Sequence, residues 1–519
     1  MGKIRPLRAN FIPSIPDIFF VTIFFCLFFS SKSTLLADCD TGYHIRAGEY
    51  IIRTLSVPKF DIFSFHTPAI PWTAHEWLSE VIMAVIHGMF GLTGIVAFFA
   101  FLLALTAYLL FNMLKSYQTD MLFSTVIGML VFTSSQIHWL ARPHVFSFLL
   151  MITCQYLLES WRCDRVNRLY LLPAIMLLWV NLHGGFLGGF LLMGSYLIGK
   201  LASLLSMPVA EWGARSRELK QLAVTILACL AACLFNPQGY HILLFPFKLV
   251  SNKFIMDHIS EFLSPDFHQW MPFKYLLLLL IAIFAVSKKS IEATELVLIL
   301  IFTNMALYSS RYIPLFALVT APILARRADE IGGLIGVRLA GFFRKRSENI
   351  AGIHAHTTGY LWPATAVIVV AAATYTGRFP HRFDERIKAV AAGEFLMKER
   401  ITGNMFNDDE IGDYLIYRGY PSYKVFIDGR SDMYGSDILK KYYKVINFEP
   451  GWEAILDQYR ISWIIFDSDS KLSRYLLKDS NWALIYSDRV ASIFVEKLPR
   501  YRELIEKHRT VKPYSRPEE

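Results

Sequence analysis

Asp38-Cys39-Asp40 sets two carboxylates two residues apart, directly after an apolar run at about 16–37. Such a pair does not belong inside hydrocarbon. A few residues beyond its edge it could do one of two things. It could hold a divalent cation, magnesium or manganese, through oxygen ligands at Asp38 and Asp40, or it could accept a hydroxyl proton as a general base. A solvated acidic loop is the plain alternative for a lone Asp-x-Asp. The neighbourhood favours chemistry: Thr41-Gly42-Tyr43-His44 follows, then Pro58-Lys59-Phe60-Asp61, then Trp72-Thr73-Ala74-His75-Glu76-Trp77. A segment of that length is functional or disordered, and this one is too aromatic for disorder.

Other polar residues recur at the ends of apolar runs. They are His138, Arg142 and His144, then Asn181 and His183, then Asn236, Gln238 and His241, and finally Arg311 in the turn Ser309-Ser310-Arg311-Tyr312. Arg142 and Arg311 suit a phosphate or pyrophosphate lying at a membrane edge, and each suits the role of an interfacial anchor equally well. His75-Glu76 does not open a zincin motif, because Ser79 stands where the second histidine is required. In the C-terminal part, Phe426-Ile427-Asp428-Gly429-Arg430 reads as a strand running into a turn. That turn would offer Asp428 and Arg430 to a substrate; an internal ion pair accounts for it as well.

These residues must be positioned by a membrane protein. The 519 residues are 54% hydrophobic and 18% charged, with a mean hydropathy of +0.38, which is the composition of a polytopic helical chain. About eleven spans are expected, at 16–37, 92–114, 119–137, 145–161, 168–182, 184–205, 220–236, 273–288, 293–309, 311–326 and 359–377. Trp77–Phe90 is apolar but short, and reads as an interfacial helix. The basic Met1–Arg8 stretch precedes a first run with no clean small-residue cleavage site, so the first helix is expected to be retained. With the N-terminus in the cytoplasm, nineteen Lys and Arg fall on the cytoplasmic side and nine on the other up to residue 377, which satisfies the positive-inside rule. Spread over short loops, the net charge of +9 fits a membrane surface and not nucleic acid. The six cysteines show neither a disulfide framework nor zinc spacing.

After about 385 the composition becomes charged and mixed. Lys424–Asp428 and Trp463–Phe466 read as buried strands, Ser436–Ile446 as a helix, and Trp482–Asp488 with Val490–Glu496 as a hairpin. The expectation is a mainly α, polytopic transmembrane domain over 1–377, with a first extracytoplasmic loop at 38–91 that ends in the interfacial helix 77–90. A small α/β domain at 385–500 follows on the extracytoplasmic side, then a frayed polar tail at 501–519.

The first loop resembles that of the GT-C superfamily of polytopic membrane glycosyltransferases, which includes lipid A aminoarabinose transferases and protein O-mannosyltransferases. The matching pieces are Asp38–His44, Gly48–Pro58 and Trp72–Trp77 with the helix that follows. More closely, it is similar to a bacterial group with a D-T-G-W-H-L-R-A-G-like opening, a D-P-F-S-like middle (here Asp61-Ile62-Phe63-Ser64) and an H-E-W-L-like end. The resemblance is strong over about 38–112 and weaker beyond. It departs from the mannosyltransferase and aminoarabinose pattern, since Asp-Cys-Asp and His-Glu stand where Asp-Glu and Lys-Pro or Pro-Pro are usual, so donor and acceptor do not carry over.

The resemblance implies a bacterial inner-membrane enzyme moving a sugar from a polyprenyl-phosphate donor to a glycan, lipid or protein acceptor at the extracytoplasmic face. Asp40 would be the base, with Asp38 as helper or metal ligand. Arg142 and Arg311 would neutralise the leaving phosphate, and His44, His75, Glu76, His144 and His183 would line the pocket. A cation is not required, since arginines can serve the phosphate. A transporter or flippase of lipid-linked saccharides is the second reading and a non-catalytic envelope scaffold the third. The transporter reading predicts charges near the bilayer midplane and internal repeats; the scaffold reading predicts loop carboxylates that tolerate replacement.

Overall fold

The structure, a computed structural model, describes residues 12–30, 34–117, 121–164, 166–209, 212–327, 341–342, 345–349 and 360–515. The basic Met1–Arg8 stretch and the last four residues of the expected tail lie outside the described residues, as do Lys32, Arg165, Arg338 and Arg344 of the charge count.

Helix α1 (Ile15–Phe29) is opened by Ser14 and Asp17, which cap each other's backbone in a capping box. The first departure from expectation comes next. Residues expected as loop form an amphipathic helix, α2 (Asp40–Thr54), whose first N–H is taken by the Asp38 carboxylate at 2.8 Å. The polar face of α2 is buried against partners that offset its desolvation, Arg142 for Asp40 and Glu80 for His44. It packs on α3 at Gly48, where a Cβ would stand 1.9 Å from the Glu80 carbonyl. Helix α3 (Trp77–Ser116) joins the expected interfacial helix to the second apolar run, with a break at Gly91, φ 60°.

The remaining apolar segments carry α4 (Met121–Ser135), α5 (His144–Cys163), α6 (Leu172–Leu182), α7 (Phe186–Leu205), α8 (Trp212–Cys233), α9 (His241–Ser251), α10 (Lys253–His258), α11 (Pro272–Val286), α12 (Ala293–Tyr308), α13 (Ile313–Ala325) and α14 (Leu361–Thr376). Among the described residues, three helical stretches are long and apolar enough to cross a membrane unaided: Trp77–Ser116, Met121–His138 and Phe186–Leu205. Leu227, Ile281, Leu300 and Ile368 present their side chains outward from the bundle, as a lipid-facing surface does. At the end of α5 away from the site, Arg162 and Arg326 pair with Glu159, and Arg326 and Arg327 pair with Glu295; these links tie α5, α12 and the end of α13 together.

The C-terminal part holds a four-stranded sheet in the order β1-β2-β4-β3. Strands β1 (Asn404–Asn407) and β2 (Ile461–Asp467) run parallel, whereas β4 (Ala491–Glu496) is antiparallel to both β2 and β3 (Trp482–Ser487). Lys424–Asp428 is not a strand. Its backbone is held instead by the Asn407 side chain, which accepts from Phe426 N–H and donates to the Ile427 carbonyl, both at 2.8 Å. Only Val425 makes an isolated bridge, to Ser64. The first residues after 500 are not frayed either: Tyr501 is buried, its hydroxyl meets Ser462 at 2.9 Å, and Lys507 pairs with Glu399 at 2.7 Å. One apolar core fills the helical bundle. A second unites the sheet and its helices with Tyr43, Ala47, Phe63, Trp72 and Ala74 from the first loop, so the loop and the C-terminal part share a core.

Candidate functional site

Helix α2 brings Asp40 to the floor of a cavity of about 370 Å³, which Asp38, Tyr43, His75, Glu76, Arg142, Glu261, Arg311, Asp409, Asp413 and Asp432 also line. Arg142, in the turn before α5, is the organising cation. Its guanidinium reaches Asp38 at 2.6 Å, Asp40 at 2.8 Å and Glu261 at 2.7 Å. This fork geometry is one that lysine could not reproduce. Glu261, on the short turn Ser260–Phe262, also faces Arg311 at 3.5 Å. The two arginines hold its carboxyl far below the usual range despite burial. Arg311 lies over the Phe262 ring, and among the described residues Glu261 is its one ion-pair partner.

Asp40 is 7% exposed. Its carboxylate is in hydrogen-bond contact with Asp413, which comes from the helix Asp409–Gly419. Burial pushes both carboxyls well above the usual range, and Arg142 opposes this at Asp40. Two carboxylates in contact cannot both be charged, and the guanidinium beside Asp40 makes Asp413 the member that keeps the proton. Gly429 closes the arrangement. Its N–H donates to both Asp413 oxygens at 3.1 Å, and a Cβ there would lie 2.4 Å from Asp40 Oδ1.

Three of the expected histidines, His44, His75 and His183, gather on Glu76 and Glu80 at the start of α3. His44 contacts Glu80 at 3.3 Å and Glu76 at 3.6 Å, His183 contacts Glu76 at 3.3 Å, and His75 contacts it at 3.7 Å. The His183 tautomer is set by its neighbours. Nδ1 accepts from Gly185 N–H at 2.9 Å, so Nε2 bears the proton that faces Glu76. Burial raises the Glu76 carboxyl. His144 donates from Nε2 to the His138 carbonyl at 2.7 Å. His138 is buried, with its ring Nε2 unpartnered among the described residues. His75, His138, His144 and His183 with Arg311 form the polar end of a second cavity, about 140 Å³, whose other walls are Phe148, Leu187, Leu191, Phe245, Leu249 and Leu315. The two cavities share His75, Glu261 and Arg311.

Asp428 and Arg430 sit differently from a pair offered to substrate. Arg430 is 2% exposed; it binds Asp428 at 2.6 Å and Asp61 at 2.8 Å and lies against the rings of Trp72, Phe63 and Tyr43. Arg430 clamps the first loop to the C-terminal part and Asp428 holds Arg430 in place, while Asp428 and Gly429 also line the acidic cavity. Sequence reasoning missed Asp413, Glu261 and Glu80. A signal for Asp413 exists in Asp409-Glu410-Ile411-Gly412-Asp413, three acids around a glycine at a helix start. Glu261 carries no comparable pattern.

The bundle, the loop helix and the appended sheet define a mainly helical membrane protein with its polar site at one end. No family model and no curated protein matches the sequence. Among solved structures, the chain resembles the archaeal oligosaccharyltransferase AglB from Archaeoglobus fulgidus in complex with an inhibitory peptide and a dolichol-phosphate. That likeness has a TM-score of 0.56 and 10% identity, over 89% of this chain and 70% of that one. It also resembles the apo form of the Archaeoglobus fulgidus oligosaccharyltransferase, with a TM-score of 0.54 and 11% identity over 93% of this chain and 74% of the other. What is shared at these identities is the fold.

Proposed function

We propose that this chain is a bacterial inner-membrane glycosyltransferase. It moves a sugar from a polyprenyl-phosphate donor to a hydroxyl or amine acceptor at the extracytoplasmic face, with Asp40 as general base. The observation that carries the reading is the junction of the two cavities at Arg311. The apolar cavity suits the first units of a polyprenyl chain, the acidic one suits a sugar and its acceptor, and Arg311 stands between with donors to spare. The likeness of the first loop to GT-C enzymes and of the fold to an oligosaccharyltransferase supports the same class. The site lies at the ends of the helices that the basic-residue count assigns to the extracytoplasmic face, with the N-terminus in the cytoplasm and 385–500 outside.

In this reading the acceptor oxygen or nitrogen attacks the anomeric carbon. Its proton passes to the Asp40 carboxylate, and the bond from that carbon to the phosphate oxygen breaks with its electron pair. Arg311 meets the charge that grows on the departing phosphate, where a preorganised cation contributes most. The arginines therefore divide the work: Arg142 is saturated by carboxylates and orients Asp38 and Asp40, while Arg311 serves the phosphate. His44, His75, His144, His183 and Glu76 wall the passage between the cavities. No cation step is part of this mechanism. A magnesium or manganese ion on Asp38 and Asp40 would compete for the oxygens that Arg142 engages, and the steps above do not require it.

The test is glycan analysis of a deletion strain complemented with wild type, Asp40→Asn or Arg311→Ala, with equal amounts of protein in the membrane. Both variants should leave the glycan absent or strongly reduced. Full restoration by Asp40→Asn would instead favour a non-catalytic scaffold.

A further inference from the structure

The C-terminal part reaches the centre of the site through one short stretch, and its geometry has no role in the mechanism above. Gly429 lies so close to Asp40 that any side chain would collide with Oδ1. Its N–H is spent on Asp413 at 3.1 Å. Asp413 is 1% exposed, on the first turns of the helix Asp409–Gly419, which packs along α2. On either side of Gly429, Arg430 is locked to Asp61 of the first loop at 2.8 Å and to Asp428 at 2.6 Å. A buried, hydrogen-bonded carboxyl held by a backbone N–H and aimed at another carboxylate is costly unless it has a task. The groups that face the pair are Asp38, Arg142 and Glu261 on the Asp40 side, and Asp428 with the backbone of Gly429 on the Asp413 side.

We propose that Asp413 is a positioning residue for the base: held by Gly429, it donates a hydrogen bond to Asp40 and fixes the carboxylate oxygen that faces the acceptor, so that the C-terminal part completes the catalytic centre. This rests on the assignment of Asp40 as base. Asp40 meets two directional partners on different sides, Arg142 from the turn before α5 and Asp413 from the far end of the chain. A carboxylate pinned at both oxygens by such partners keeps one orientation. Without Asp413 it could rotate about its last bond while staying bound to Arg142.

The prediction separates a donor from a mere filler. Asparagine at 413 keeps a donor for Asp40 and an acceptor for Gly429 N–H; leucine has the same size and neither. In the complemented deletion strain, Asp413→Leu should lower glycan per unit of membrane protein by about ten- to a hundredfold, as loss of a hydrogen bond to a charged group does. Asp413→Asn should recover most of that loss. Gly429→Ala, whose Cβ would press on Asp40 Oδ1 at 2.4 Å and on Asp413 Oδ2 at 3.0 Å, should resemble the leucine variant. Melting temperatures of the purified full chains are measured alongside, and Asn and Leu variants matched in stability but not in glycan support the assignment. Equal losses in Asn and Leu variants, or full glycan with Asp413→Leu while Asp40→Asn is inactive, would overturn the role of Asp413 and leave the base intact. Full glycan with Asp40→Asn would remove the base reading itself, and this role with it.

Discussion

Arg430 offers the most quantitative test of how the first loop and the C-terminal part are joined. Its side chain and those of Asp61 and Asp428 are each no more than 2% exposed, so solvent screening does not discount their interactions. Arg430→Met keeps the length and the contact with Trp72, Phe63 and Tyr43 but leaves two carboxylates buried without a cation. Breaking a buried ion cluster from one side costs about 3–5 kcal/mol. Neutralising all three members costs much less, since the desolvation of the charges disappears along with their attraction. The single variant should therefore melt well below wild type, and adding Asp61→Asn and Asp428→Asn to it should restore much of the difference. The assay is thermal unfolding of the purified full chain, with limited proteolysis to show whether the C-terminal part is released first. Wild-type stability in the single variant, or no recovery in the triple one, would refute the view of Arg430 as a buried clamp.

Other outcomes can be checked with the same preparations. Arg142→Lys should lose most of the glycan, because one ammonium cannot bridge Asp38, Asp40 and Glu261 together; glycan analysis at matched protein level decides it. Gly48→Ala should destabilise by about 1–3 kcal/mol through overpacking of α2 against α3, read as a lower melting temperature. Glu261 has a depressed folded-state pKa, so its contribution to stability is complete above the unfolded value of about 4.3 and is lost as pH falls toward the folded one. The difference in melting temperature between wild type and Glu261→Gln should be constant from neutral to about pH 5 and shrink only in stronger acid.

Much of the helical plan was legible because apolar runs of bilayer length announce themselves whatever their partners. The late hairpin and β2 were legible for a similar reason, in alternating or continuous β-branched and aromatic runs. Asp40–Thr54 was not. Its Asp, Thr, Gly and His content reads as loop, and only burial against Glu80 and the helix Asp409–Gly419 makes it a helix. Lys424–Asp428 has the composition of a strand, but the Asn407 amide takes the bonds a neighbouring strand would have made. In the site, Asp38, Asp40 and Arg142 stood out because charge at the end of an apolar run is unusual. Arg430 stood out too, but sequence could not tell a clamp from a contact. Glu261 is an ordinary acid locally, and the weak local signal at Asp413 does not name its partner; their meaning comes from Arg142 and Arg311 for the one and from Asp40 for the other. Cys39 now has a simple account: it is buried in the core of the bundle at the residue before α2 begins.

The sharing of one core between the first loop and the last quarter of the chain also has a consequence for biogenesis. Asp40 is made early, and Asp413 and Gly429 follow only after almost all the helices have been synthesised. At typical rates of translation that interval is on the order of tens of seconds, during which α2 rests on α3 without the helix Asp409–Gly419 that later packs along it. A ribosome that stalls or a message cut before residue 413 would thus leave a correctly inserted bundle with an incomplete centre. The order of the sequence itself delays the appearance of a finished site until nearly the whole protein exists.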